Sequence, residues 1–352
     1  MARERVAQVA PDGAPAGTSA TDMPDAAAPV LHPSSPIPVH GVPLGADIRV
    51  ALGETGIRVF PLVLGAAEFG WTVDLTASHA VLDAYVQRGG NAVHTSDGYA
   101  SGRSEHIVGR WLASRGIRDD IVVTVRIGGN PDNPGLGSVN LVRAVEASLG
   151  RLGIERIDVL YLDAATDATT ALEDTLATAE WLVDSGKVRA LGAAGYTAMQ
   201  LVEARILSSA GYPRFAALDV PYNLLHRSEF DGDLRLIAGA QGLAVTPSRA
   251  LEHGYLTGTH RDRAGLSSSV RGSQLAAWMN RRGSRTLKAL DRISQELSVP
   301  TAAVAVAWLL AQRVVTAPII NAGRPAHVDQ LVQGVGVRLG RSHLAEIARA
   351  VE

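Results

Sequence analysis

The stretch VNLVRAVEASLGRLGIERIDVLYLD, residues 139–163, carries the pattern that decides the fold. Its first part sets apolar residues at helical spacing and closes on Gly153, which can take the left-handed conformation that ends a helix. Its last part, IDVLYLD (157–163), is a short run, mostly apolar after Asp158, that ends on Asp163. A helix followed by a strand of this kind fits a parallel sheet, whose strands are buried on both faces by helices.

The unit repeats in form along the chain. Strand candidates are PLVLG (61–65), NAVHT (91–95), IVVTVRI (121–127), IDVLYLD (157–163), VRALGAA (188–194), FAALDV (215–220), LAVTP (243–247) and VTAPII (315–320). Amphipathic segments lie between them; SHAVLDAYVQRGG and SEHIVGRWLASRG also end on glycine. Ahead of the first strand, IRVALGETGIRVF reads as a β-hairpin around Glu54-Thr55-Gly56. A doubly wound sheet competes with a barrel. No G-x-G-x-x-G follows the first strand, and the strand count is eight, so a single closed (β/α)8 barrel over residues 46–352 is expected.

On that fold the strand ends converge on one mouth, and here they carry polar side chains. Glu68 follows the first strand, His94 ends the second, and Arg126 lies near the end of the third. Asp163 ends the fourth, Asp219 lies near the end of the sixth, Arg249 follows the seventh and Asn321 the eighth. Gathering such charges is costly unless they pair, so the cluster reads as functional. Arg126 would repel an ion held by His94, Asp163, Asp219 and Glu68, so no metal is expected. The segment 250–273, rich in Gly, Ser, Thr and Arg, reads as a lid or binding loop. His253 and His260 within it read as solvent-exposed.

The bulk composition narrows the setting. The formal net charge of −2 gives no basic field for nucleic acid or an anionic membrane, and no apolar run approaches the length of about 18 residues that a span needs. A small-molecule substrate is expected. The chain has no cysteine, which excludes disulfides and thiolate metal sites and fits a cytoplasmic location. Residues 1–45, rich in Pro, Ala and Ser without periodicity, read as a disordered extension.

With these residues in place, the chain from about Ile48 to Glu352 resembles the aldo-keto reductases. The matching stretches are LGAAEFGW, HTSDGYASGRSEHIVGRWL, VEASLGRLGIERIDVLYL, VDSGKVRALGAAGYT, VPYNLLHRSEF, GYLTG, VPTAAVAVAWLL and APIINAGRPAHVDQL. The resemblance implies a (β/α)8 TIM barrel, carbonyl reduction with NADPH, and a tetrad of Asp, Tyr, Lys and His. In this chain Tyr99 is kept, while His94 stands at the aspartate position, Arg126 at the lysine and Asp163 at the histidine. The side chains that cradle nicotinamide fall on Ala194, Gly195, Asp219 and Ser248, and an adenine contact falls on Leu331. Asn321 and Arg324 stand where the family holds the adenosine phosphate. Trp71 falls where the family lines its substrate pocket, as lining or as rim packing, and Tyr222 at a position that often only packs; both are candidate substrate contacts, with Glu68, Asp219 and Arg249.

The missing cradle contacts set the expectation about chemistry. Stacking is worth ~1–3 kcal/mol on nucleic-acid platforms and a hydrogen bond ~0.5–1.5 kcal/mol. Losing several of them predicts that NADPH does not bind usefully and that no cofactor is used. A phenol, a guanidinium, a carboxylate and an imidazole are still present at Tyr99, Arg126, Asp163 and His94. They suit non-redox acid–base work such as isomerisation, dehydration or ring closure, with His94 titrating near neutrality and Asp163 either orienting it or acting as a base itself. The Ala-, Gly- and Arg-rich composition associates such an enzyme with bacterial secondary metabolism. Two alternatives stay open: an NADP-dependent reductase of an aldehyde, ketone or keto-sugar, and a non-catalytic binding or regulatory subunit.

Overall fold

The computed structural model describes residues 48–263, 266 and 269–352. The extension expected over residues 1–45 lies outside them. The hairpin is present: β1 (Val50–Ala51) pairs antiparallel with β2 (Arg58–Val59). Its turn is held by the Thr55 hydroxyl, which donates to the Leu52 carbonyl at 2.7 Å. Gly53 is obligatory here, because its φ is +57° and a Cβ would lie 2.5 Å from the Ala216 carbonyl oxygen.

Eight parallel strands follow. They are β3 (Val63–Gly65), β4 (Ala92–Ser96), β5 (Val122–Ile127), β6 (Ile157–Asp163), β7 (Val188–Ala194), β8 (Phe215–Pro221), β9 (Ala244–Ser248) and β10 (Ile319–Asn321). Their order is β10-β3-β4-β5-β6-β7-β8-β9. The ring closes through a parallel bridge between Val245 and Val315, where the Thr316 amide donates to the Val245 carbonyl at 2.8 Å. The last strand, Ile319–Asn321, is shorter than 315–320 implied, and Val315 takes part in the closing bridge outside it.

Helices cover the outside: α1 (Leu75–Gln87), α2 (Arg103–Arg115), α3 (Ser138–Leu152), α4 (Leu172–Asp184), α5 (Ala198–Ser209), α6 (Asp233–Ala240), α7 (Gly272–Trp278), α8 (Arg281–Leu297), α9 (Thr301–Leu310), α10 (Pro325–Gly336) and α11 (Arg341–Val351). Gly116 and Gly153 end α2 and α3 in the left-handed conformation, as their places in the sequence imply. Asp74 starts α1 by accepting from the Ala77 amide at 2.8 Å, and Thr197 with Gln200 forms a capping box on α5. The stretch 250–273 is less of a plain loop than expected. It contains a 3-10 turn over Glu252–Thr257 and ends as α7 begins.

What positions the site is the two-residue period of the strands. Alternate residues face the barrel axis. At the start of the strands these are small: Ala92, Ala190, Ala217 and Ala244 cluster with Leu52, Ile57 and Val59 of the hairpin, which plugs that end. In the middle layer His94 meets Thr124, and the Tyr161 hydroxyl meets the Thr246 hydroxyl at 2.9 Å. Two residues beyond Thr124 and Tyr161 on the same faces come Arg126 and Asp163, at the carboxyl ends of β5 and β6. Among the described residues no single helix is long and apolar enough to cross a membrane.

Candidate active site

Tyr99 is placed by the turn that leaves β4. Ala100, Ser101 and Gly102 all have positive φ, at 49°, 55° and 85°, which swings the chain directly into α2. For Ala100 and Ser101 this costs about 1–2 kcal/mol per residue. The turn is held by Asp97, which is fully buried. Its carboxylate accepts from the Gly128 amide at 3.0 Å and the Gly129 amide at 3.2 Å, and its carbonyl accepts from the Asn130 side chain at 2.9 Å. Asp97 therefore ties the loop after β4, which carries Tyr99, to the loop that directly follows Arg126 at the end of β5. It was not among the expected site residues; the Asp97-Gly98 pair was its one signal, as a turn dipeptide.

Arg126 is the centre of the cluster. Its guanidinium lies 3.5 Å from the Tyr99 hydroxyl, 3.5 Å from Asp163 Oδ2 and 3.6 Å from Asp219 Oδ2. These separations are at or beyond the reach of a good hydrogen bond, so charge holds the group and leaves donors for an incoming oxygen. Burial opposes its charge, but the Tyr99 oxygen and the Asp219 and Asp163 carboxylates together raise its pKa. Burial raises the Tyr99 phenol; Arg126 opposes this, while Asp219 and Asp163 add to it. The phenol is thus protonated at neutral pH.

Asp163 and Asp219 are both raised by burial, with Arg126 as the main opposing influence. Asp163 also accepts from the Ala165 amide at 3.1 Å. Neither carboxylate oxygen of Asp219 has a well-formed hydrogen bond; Ser248 stands close enough to stabilise its charge without good alignment. Gly195 has φ +69°, and a Cβ there would lie 2.9 Å from both Asp163 Oδ1 and the Ala165 amide nitrogen. Asp163 in this pose and a side chain at position 195 exclude one another.

His94 does not have the role first assigned to it. It is buried in the barrel interior, with Nδ1 2.9 Å from the Thr124 hydroxyl and no partner on Nε2. Burial, followed by repulsion from Arg126, pushes its pKa down to about 3. It is neutral at physiological pH, and Asp163 pairs with Arg126 rather than orienting the imidazole. Tyr222 also moves out of the site. It is fully buried among Phe230 and Trp308, with its hydroxyl donating to Asp231 at 3.1 Å.

The remaining residues frame a cleft of about 650 Å³ that starts at Tyr99, Arg126, Asp163 and Asp219 and continues to the start of α10. Asn321 lines it and accepts from the Ala67 amide at 3.1 Å. Arg324, exposed at the first turn of α10, donates to His327 at 2.8 Å. Arg249 lies exposed on the rim. Glu68 forms an ion pair with Arg271 across the opening, and the Arg271 guanidinium also sits 5.0 Å from the Trp71 ring centroid and 3.0 Å from His253 Nδ1. Trp71 is therefore an exposed rim residue packed on Arg271. His253 and His260, read from sequence as solvent-exposed, both line the cleft.

A sequence profile of the Aldo/keto reductase family matches residues 61–352. The chain is 30% identical over 321 residues to aldo-keto reductase ausK of Emericella nidulans, covering 84% of this chain and 79% of that protein. It is 26% identical over 317 residues to norsolorinic acid reductase of Aspergillus flavus, with 85% and 79% covered. It is 28% identical over 299 residues to a probable voltage-gated potassium channel subunit beta of Oryza sativa subsp. japonica, with 81% and 90% covered. These reductases correct the expectation of a cofactor-free, non-redox enzyme: relatives matched along most of their length carry the names of reductases. Altered cradle contacts alone do not outweigh that, since each is worth little and the cleft retains other polar groups. On the profile match and the barrel together, the chain belongs to the aldo/keto reductase family.

Proposed function

We propose that the protein is an NAD(P)H-dependent reductase that converts the carbonyl of a small aldehyde, ketone or keto-sugar into an alcohol. The observation that carries this reading is the Tyr99 phenol, protonated and 3.5 Å from the Arg126 guanidinium at the inner end of the cleft. A proton donor next to a permanent cation is the equipment that carbonyl reduction demands of the protein.

The residues present fit a pyridine dinucleotide. At the inner end Ala194 and Gly195 offer no side-chain contact, but Asp219 at the cleft wall has no well-formed hydrogen bond on its carboxylate, and a carboxamide NH₂ placed there would supply one. At the outer end Arg324 and His327 supply groups for a phosphate, beside the first turn of α10. A volume of about 650 Å³ is that of a small-molecule site.

When bound, the reduced nicotinamide supplies the hydride that reaches the carbonyl carbon. The protein does the rest. Arg126 has donors free to receive the carbonyl oxygen, and it neutralises the negative charge that develops there. Tyr99 gives its proton to that oxygen, completing the alcohol, and Arg126 stabilises the phenolate left behind until water returns the proton. Asp163 and Asp219 hold the guanidinium in place from two sides. His94, neutral and packed edge-on to Tyr161 at 5.6 Å and Tyr99 at 6.3 Å between centroids, shapes the floor and carries no proton in this scheme. The test is turnover of the purified protein with NADPH or NADH and a panel of aromatic aldehydes, ketones and keto-sugars. Carbonyl-dependent loss of the reduced nicotinamide absorbance supports the reading; no loss with any member of the panel overturns it.

A further inference from the structure

The charges around the inner end of the cleft do not cancel. Asp163 and Asp219 share one guanidinium, at 3.5 Å and 3.6 Å. Behind it Asp97 adds another carboxylate. His94 and the phenols of Tyr99 and Tyr161 carry no charge at neutral pH. Of the other charged groups that line the cleft, Glu68 and Arg271 neutralise each other, and Arg249 and Arg324 are exposed on the rim and at the far end. Burial works against ionisation of Asp163 and Asp219 while Arg126 works for it; with both ionised, the described residues give the inner end a surplus of negative charge and the outer end positive charge.

An oxidised pyridine dinucleotide has the complementary pattern, with a cationic ring at one end and phosphates toward the other. The reduced form keeps the phosphates but has a neutral ring. The ring must lie within reach of the carbonyl that takes the Tyr99 proton, so it belongs at the acidic end. There Asp219 is almost fully buried, and its oxygens make no well-formed hydrogen bonds that would spread their charge. A buried charge acts through less screening than a surface one.

We infer that the Asp163–Asp219 pair favours the oxidised cofactor, so that the protein binds NADP⁺ more tightly than NADPH and the bound couple is the more strongly reducing for it. The inference rests on the dinucleotide reading of the cleft. It assigns Asp219 a task distinct from holding Arg126: selecting between the two oxidation states of one ligand. The expected preference is at least about tenfold, which for a two-electron couple lowers the bound potential by ~30 mV.

The test is calorimetric titration of the full chain with NADP⁺ and, separately, NADPH, for the wild type, Asp219→Asn and Asp163→Asn. The expected result is at least about tenfold tighter binding of NADP⁺ by the wild type, with the ratio falling toward one in Asp219→Asn as the surplus charge is removed. Should Asp219→Asn fail to fold, the wild-type ratio and Asp163→Asn still decide. Equal binding of the two forms, tighter binding of NADPH, or an unchanged ratio in a folded variant overturns the inference while leaving the reductase reading intact. Failure of both nucleotides to bind the wild type overturns the reductase reading and the inference with it.

Discussion

Arg126 meets the Tyr99 hydroxyl at 3.5 Å while lying 3.5 Å from Asp163 and 3.6 Å from Asp219. Lysine concentrates its charge on one nitrogen; the planar guanidinium spreads it over three, so it can face a phenol and two carboxylates at once. The exchange of residue types in this cluster thus preserves a cation beside the phenol and builds a different scaffold around it.

Tyr99→Phe removes the proton donor and leaves the ring packing in place. Turnover should fall by about 10²–10⁴-fold, the range typical of a lost general acid, with little change in the Michaelis constant. Steady-state kinetics on the best carbonyl of the panel checks this. A variant within a few-fold of the wild type would remove Tyr99 from the reaction.

His94, with a pKa of about 3, should not titrate between pH 5 and 8. Its ring resonances in a ¹⁵N-histidine NMR titration should stay those of the neutral form across that range. The unfolded imidazole takes up a proton below about 6.5 and the folded one does not, so stability falls as pH drops from about 6.5 toward 3. His94→Gln should flatten that part of the stability curve, by at most ~1.4 kcal/mol per pH unit.

Asp219 acts in the opposite direction. Burial raises its folded pKa above the ordinary carboxylate value, so the folded state favours the protonated form. Its contribution is greatest below the ordinary value of about 3.9 and is lost as pH rises through the raised one. Asp219→Asn does not titrate, so relative to the wild type it should gain stability on going from pH 4 toward neutrality. Urea denaturation at several pH values reads the difference, and a gap that is constant with pH would contradict it.

Arg126→Met leaves Asp163 and Asp219 facing each other without a cation. Breaking a buried ion cluster from one side costs about 3–5 kcal/mol, less here because Arg126 is 28% exposed. The loss should shrink in acid, where the two carboxylates protonate. Arg126→Lys should recover part of both stability and turnover, because it restores the charge but not the fork.

The fold was legible because its determinants are local. Strand period, helix period and glycine caps such as Gly116 and Gly153 each sit within a few residues of what they control. The two-residue period also explains why Arg126 and Asp163 converge: both continue the inward faces of Thr124 and Tyr161. What could not be read is set by distance and burial. Nothing in the sequence joins Glu68 to Arg271, 203 positions apart. The 1% exposure that makes His94 a neutral core residue belongs to the folded state alone. Tyr222 sits beside the pocket in sequence and behind it in space. The changed residue types at 94, 126 and 163 invited a change of reaction, yet the phenol–cation pair survives in the folded site.

The most direct measurement follows the hydride itself. With NADPH carrying deuterium at the transferable ring position, one deuterium should appear on the carbinol carbon of the alcohol for each cofactor oxidised, and Tyr99→Phe should suppress both together. Conversion of substrate with no deuterium incorporated and no cofactor consumed would contradict the assignment of this site to carbonyl reduction.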